Sequence, residues 1–154
     1  MHEPVTAYIA LGANLGDAPA AVRAALQALD ALPHTRVLAR SSLYRTAPVD
    51  AQGPDFINAV AAVATRLTAQ ALLQSLQQLE QSAGRERAFP NAPRTLDLDL
   101  LAYGDARIDS PALTVPHPRM AQRAFVLVPL AEIAPGLVSA QQLAAVAGQR
   151  IERL

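Results

Sequence analysis

Between Thr95 and Leu101 the chain reads Thr-Leu-Asp-Leu-Asp-Leu-Leu, with leucine and aspartate alternating strictly from Leu96 to Leu100. Such a period reads as a β-strand, in which successive side chains point to opposite faces. Leu96, Leu98 and Leu100 then share a face that must be covered, while Asp97 and Asp99 share the other. The segment from Leu96 to Tyr103 is therefore expected to be a strand in a sheet with a covered face and an open one. Asp97 and Asp99 would stand about 7 Å apart by strand rise. Carboxylates at that separation repel unless a cation lies between or beside them. Magnesium prefers carboxylate oxygens, keeps several waters and completes its shell with substrate phosphates. Acids that simply face solvent would give the same pattern.

The rest of the chain supplies partners for that strand. Val5 to Leu11 is a short apolar run expected to be a buried strand, and Gly12 to Gly16 a turn. Asp17 is a good N-cap with Pro19 in the permissive first turn, and Val22, Ala25, Leu26 and Leu29 follow helical spacing until Pro33. Arg36 to Tyr44 alternates as a strand. Thr46 to Pro54 is a loop rich in breakers. Phe56 to Thr65 resumes strand character, and Thr68 to Ser82 is a helix with Leu72, Leu73, Leu76 and Leu79 on one stripe. Gly84 to Pro93 is a second loop, and Thr114 to Pro118 a proline-rich turn. Arg119 to Leu130 and Ser139 to Ala147 are expected to be short helices. The order β-α-β-β-α-β is that of an α+β, ferredoxin-like sandwich, an antiparallel sheet with helices on one face and C-terminal additions. With 154 residues and no internal repeat or linker, residues 1–154 form one expected domain.

Composition removes several kinds of chemistry. The formal net charge is zero, which argues against a general nucleic-acid or membrane-surface binder. There is no cysteine, hence no disulfide framework or thiolate metal site. No signal-peptide pattern and no apolar run of about 20 residues occurs, so the cytoplasm is the expected compartment. All 13 basic residues are arginine. A lysine Schiff base and the lysine of a Walker P-loop are therefore impossible, and phosphate would be bound by arginine, metal, backbone or helix ends.

Several constellations could carry chemistry. Arg85, Arg87 and Arg94 lie in or beside the loop leading into the acidic strand, where guanidinium groups and metal carboxylates together would suit a polyphosphate. A solvated basic loop is the plainer alternative. Glu80 falls on the apolar arc of its helix, a costly place for a carboxylate unless it is paired or reaches water at the rim. Phe56 and Asn58 share a strand face and could offer a ring for stacking and an amide for a flat heterocycle, or be a core phenylalanine beside a strand-end asparagine. His117 sits between prolines in Thr114-Val-Pro-His-Pro-Arg119. It has no histidine at zinc-ligand spacing and reads as a hydrogen-bond donor to an anion.

Longer motifs carry a resemblance. They are Ala10-Leu-Gly-Ala-Asn-Leu-Gly16, Ser42-Leu-Tyr-Arg-Thr-Ala-Pro48, Asp55-Phe-Ile-Asn-Ala59 and Gly84-Arg-Glu-Arg87. They continue with Pro93-Arg-Thr-Leu-Asp-Leu-Asp-Leu100, Leu113-Thr-Val-Pro-His-Pro-Arg119 and Arg123-Ala-Phe125. From about Tyr8 to about Pro135 the chain resembles the 6-hydroxymethyl-7,8-dihydropterin pyrophosphokinase family of folate biosynthesis. The resemblance implies a ferredoxin-like fold and transfer of the β,γ-diphosphate of ATP to the hydroxymethyl oxygen of the pterin, leaving AMP. It implies two Mg²⁺ ions on Asp97 and Asp99. Phe56 and Phe125 would sandwich the pterin, Asn58 would bond its edge, and Thr46, Ala47, Pro48 and Val49 would line the pocket with backbone groups. Glu80, Arg85, Arg94, Leu100, Thr114, His117 and Arg123 match ATP-site positions. Arg85, Arg87, Arg94, Asp97 and Asp99 would form the catalytic set. Many members have Arg-Trp-Gly before the Pro-Arg of the metal strand, where this chain has Ala88-Phe-Pro-Asn-Ala92. The expected partners are small molecules, ATP and the pterin, without nucleic acid or membrane, and a monomer is expected. Two other classes fit parts of the pattern: a nucleotide-sugar transferase using Asp97-Leu-Asp99, and a catalytically silent ligand-binding module.

Overall fold

In the computed structural model, residues 3–47, 54–84 and 96–154 are described. The elements run β1 (Val5–Ala13), α1 (Ala18–Asp30), β2 (Thr35–Arg40), β3 (Tyr44–Thr46), β4 (Phe56–Thr65), α2 (Ala69–Gly84) and β5 (Asp97–Tyr103). A small β6 (Ile108–Asp109) and β7 (Thr114–Val115) hairpin follows, then α3 (Ala124–Ile133), α4 (Ala140–Ala145) and β8 (Ile151–Arg153). The strands of the main sheet are antiparallel in the order β5-β1-β4-β3-β8, with β2 also paired to β4. Counting β2 and β3 as one interrupted strand, this is the βαββαβ sandwich expected above.

Local chemistry explains the helix starts. The Asp17 carboxylate accepts from the Ala20 amide at 3.2 Å, and Thr68 Oγ1 accepts from the Ala71 amide at 3.1 Å. Ser139 and Gln142 form a reciprocal capping box before α4. Val22, Ala25, Leu26 and Leu29 of α1 are buried, as their spacing requires.

The sheet has two differently packed faces. On one, Ile9, Leu11, Ala59, Ala61, Val63, Leu98 and Leu100 pack with Val22, Leu26 and Leu29 of α1 and Leu72 and Leu76 of α2. On the other, Ala10, Val60 and Leu101 pack with Val126, Leu127 and Leu130 of α3. The C-terminal additions thus cover part of the face that α1 and α2 leave open. Neighbouring Leu100 and Leu101 belong to opposite cores. A register shift against β1, between Tyr8 and Ile9, then returns Tyr103 to the first core.

Three differences from the sequence reading matter most for the architecture. The expected strand from Arg36 to Tyr44 breaks at Ser41. Here the serine amide donates to the Val60 carbonyl and its Oγ accepts from the Val60 amide, both at 2.9 Å, and a bulge shifts register between Val37 and Ala39. Gly12 and Ala13 belong to β1 rather than to the turn, because they pair with Asn58 and Ile57 of β4. The helix expected from Arg119 is a 3₁₀ turn at Met120–Gln122. Arg123 is extended (φ −126°, ψ 117°), and α3 begins only at Ala124. Strands β6 and β8 have no counterpart in the sequence reading, and β7 occupies the start of the turn expected from Thr114 to Pro118.

Candidate active site

The open part of the second face gathers several of the expected site residues. Asp97 of β5 pairs with Gly12 of β1, Gly12 with Asn58 of β4, and Asn58 with Tyr44 of β3. Cross-strand partners share a face, so Asp97, Asn58 and the Cα of Gly12 form one row across the sheet. Asp99 lies opposite Ala10 on the same side, and Thr46 opposite Phe56. Asp97 and Asp99 are exposed while Leu96, Leu98 and Leu100 are buried, as the alternation demands.

A cavity of about 200 Å³ opens over this row. Its walls are Ala10, Leu11 and Gly12 of β1, Thr46 and Ala47, Phe56 and Asn58, Asp97 and Asp99, and Arg123 and Phe125 from the start of α3. An open groove of about 500 Å³ adjoins it, sharing Thr46, Ala47, Arg123 and Phe125 and adding Arg119, Gln122, Gln149 and Arg150. The guanidinium of Arg123 lies over the Phe125 ring, 5.3 Å from its centroid, within cation–π range.

Asn58 is 4% exposed, and its Nδ2 donates to Thr46 Oγ1 at 2.7 Å. That bond fixes which way the amide points. Gly12 makes room for it: a Cβ there would come within 3.0 Å of Asn58 Oδ1 and 3.9 Å of Phe56 Cδ1. Close backbone approach is a common reason for glycine inside a strand.

Of the positions expected at a nucleotide, Arg123 lines this cavity, and Glu80, Leu100, Thr114 and His117 are not among its walls. His117 donates its backbone amide to the Leu101 carbonyl at 2.8 Å, docking the proline-rich turn on β5. Its Nδ1 accepts from the Arg119 amide at 3.2 Å, so a neutral ring carries its proton on Nε2 and can donate outward. Burial lowers the imidazole pKa; the charge of Asp99 opposes this, while Arg123 and Arg119 reinforce it. Glu80 Oε2 accepts from the Leu98 amide at 2.9 Å, tying α2 to β5. The Leu100 side chain is buried in the helix-covered core, leaving only its backbone for a ligand. Thr114 is half-buried in β7 opposite Asp109. Pro48, Val49, Arg85, Arg87 and Arg94 lie outside the described residues.

The sequence reading missed Ala10, Leu11 and Gly12 as walls, and the Thr46 side chain as the partner of Asn58. The glycine inside an otherwise apolar strand run was the available signal. Among the described residues no cluster of three or more His, Asp or Glu side chains is placed to hold a metal, and no helix is long and apolar enough to cross a membrane.

Comparison with known proteins agrees with the motifs. A protein of Pseudomonas aeruginosa named 2-amino-4-hydroxy-6-hydroxymethyldihydropteridine pyrophosphokinase is 48% identical over 131 residues, covering 84% of this chain and 81% of that one. Its namesake in Haemophilus influenzae is 46% identical over 135 residues, covering 87% and 84%. A crystal structure described as HPPK-DHPS in complex with substrates superposes with a TM-score of 0.65 at 12% identity. It covers 87% of this chain and 40% of the other, and speaks to the fold alone. With residues 8–135 matching the family model for 7,8-dihydro-6-hydroxymethylpterin-pyrophosphokinase (HPPK), the chain belongs to that family.

Proposed function

We propose that this chain moves the β,γ-diphosphate of ATP to the hydroxymethyl oxygen of 6-hydroxymethyl-7,8-dihydropterin, with the ring bound between Phe56 and Phe125 and the phosphates over Asp97 and Asp99. Pyrophosphokinase activity in folate biosynthesis, with ATP as co-substrate, follows from membership of the family. The observation that carries the placement is one cavity with a stacking and amide-bonding end, Phe56, Asn58 and Phe125, and a carboxylate end, Asp97 and Asp99.

The residues present fit magnesium. A pair of exposed carboxylates on one strand face is too few for an all-protein cage, but it suits an ion that keeps waters and takes phosphate oxygens. Asp97 and Asp99 would hold two such ions, which neutralise phosphate charge when bound. The chain's own groups do the rest. Thr46 and Gly12 orient Asn58, which fixes the ring edge. The phenylalanines hold the ring plane, and the neutral His117 offers Nε2–H to an anionic oxygen. Arg123 adds positive charge where the two ends meet. Arg85, Arg87 and Arg94 would take up charge on the transferring phosphates, with Arg94, Glu80, Thr114 and the Leu100 backbone also at the nucleotide. In the transfer the hydroxymethyl oxygen bonds to the β-phosphorus as the bond from that phosphorus to the α,β-bridging oxygen breaks. AMP leaves, and the hydroxyl proton passes to solvent or a nearby base. Positioning and charge neutralisation supply the rate. A cytoplasmic monomer is the form in which we expect it to act.

The test is AMP release from ATP with and without the pterin alcohol. AMP should appear only with the pterin, stop on chelation and return with magnesium. AMP formed equally without the pterin, or none with both substrates and magnesium, would overturn this reading.

A further inference from the structure

We infer that Glu132 is a positioning residue for the ring pocket, a strut that sets the gap between α3 and strand β3. The inference rests on the ring placement proposed above.

Glu132 stands near the C-terminal end of α3, seven residues after Phe125. That spacing puts both on the same face of the helix, two turns apart. Phe125 lines the ring cavity, and Glu132 grips β3, whose Thr46 lines the same cavity. Glu132 Oε1 and Oε2 share the Ser42 amide at 3.0 and 3.1 Å, and Oε2 also accepts from Ser42 Oγ at 2.9 Å. Oε1 accepts from the Tyr44 hydroxyl at 2.6 Å. Arg153 of β8 approaches Oε2 at 3.6 Å from the outer side of β3.

The grip falls where the sheet ladder is interrupted. Between β2 and β3, Ser41 exchanges bonds with Val60 of β4, and the Glu132 carboxylate takes the next amide, that of Ser42. Tyr44 opens β3, and Thr46, two residues on, holds the Asn58 amide. The chain of contacts therefore runs Glu132, Tyr44, Thr46, Asn58, and by a second arm along α3 from Glu132 to Phe125. Both arms end on the cavity. Burial raises the Glu132 pKa, but the bonds from Tyr44 and Ser42 and the charge of Arg153 outweigh it and hold it below its ordinary value. The carboxylate is therefore ionised and accepting throughout the neutral range.

Glu132→Gln keeps the shape and leaves an acceptor at one end only, so the three donors cannot all be met. The Michaelis constant for the pterin alcohol should rise about tenfold, while that for ATP stays within about twofold. Tyr44→Phe should move the same constant in the same direction. The double variant should be no worse than Glu132→Gln alone, because the pair acts as one unit. Equal changes in both Michaelis constants, or unchanged constants with only a lower melting temperature, would reduce Glu132 to a stability residue and overturn the inference. If Glu132→Gln does not fold, Tyr44→Phe and Ser42→Ala carry the same test. Direct titration of pterin fluorescence with a non-hydrolysable ATP analogue gives the same answer without turnover. A wild-type chain that binds the pterin but releases no AMP would fail the transfer reading and leave this one to the titration.

Discussion

The two faces of the sheet are drawn from the same strands and finished in opposite ways. Under α1 and α2 the buried residues of β1, β4 and β5 are apolar apart from Thr65 at the end of β4, and Leu72, Leu76, Ile9 and Val63 are 0% exposed. On the other face the apolar cover stops part of the way along. Ala10, Val60 and Leu101 are capped by α3, and beyond them Asp97, Asp99, Asn58 and Phe56 face a cavity. Arg123 and Phe125 sit at that boundary because α3 does not begin until Ala124. A covered face contributes stability in proportion to the area it removes from water. An uncovered one leaves backbone-anchored polar groups on a rigid support, which is what a reaction site requires.

The sharpest way to break that comparison is to exchange the penalties of the two faces. Asp97→Ala or Asp99→Ala should lower AMP formation on the order of a thousandfold with little change in melting temperature. Leu72→Ala should do the reverse, costing about 2–5 kcal/mol of stability by leaving a cavity, with turnover retained at a temperature where the variant is folded. Paired turnover and denaturation measurements decide it. Near-native turnover in either aspartate variant would mean the open face is not the metal end.

A smaller effect sharpens the ring end. Thr46→Val keeps the side-chain shape and removes the acceptor of the Asn58 amide, a bond of 2.7 Å between groups that are 5% and 4% exposed. An unpaired buried donor costs about 1–3 kcal/mol, so the pterin Michaelis constant should rise roughly five- to tenfold while that for ATP stays put. Equal shifts in both would show that Thr46 supports the sheet and not the ring.

How much of this was legible beforehand follows the same division. The alternation Leu96-Asp97-Leu98-Asp99-Leu100 announced both faces of β5, since a period of two leaves no freedom of side. Phe56 and Asn58 were placed together for the same reason. What escaped notice lacks a periodic signature. A bulge such as that near Leu38 adds one residue and leaves composition unchanged. Strand β8 has three residues, two of them exposed, so no apolar pattern marks it. Gly12 was read as a turn because glycine punctuates turns; here its role is space for Asn58. The Glu132 network joins residues 88 and 90 positions apart, beyond any local rule. The arginines most expected to act on the phosphates, Arg85, Arg87 and Arg94, lie outside the described residues, so their role rests on the motif.

The smallest effect concerns pH and the join between the two regions. Burial raises the Tyr44 pKa, the bond to Glu132 and that residue's charge raise it further, and Arg153 partly offsets them, leaving it pushed up to about 12 from 10.0. A phenol whose folded pKa exceeds its unfolded one contributes stability that is fully present below the unfolded value. That contribution is lost as pH rises from 10.0 through about 12. Glu132 behaves oppositely: its lowered pKa gives stability present above 4.5 that is lost as pH falls through the folded value. Urea midpoints should therefore fall more steeply for the wild type than for Tyr44→Phe above pH 10, and run parallel to it between pH 6 and 9. At neutral pH the pair is fully engaged, Tyr44 protonated and Glu132 ionised, so the α3–β3 gap should be set before either substrate arrives. Parallel curves through the alkaline range would mean that Tyr44 does not feel the Glu132 charge, and that Glu132 holds this segment through its Ser42 bonds alone.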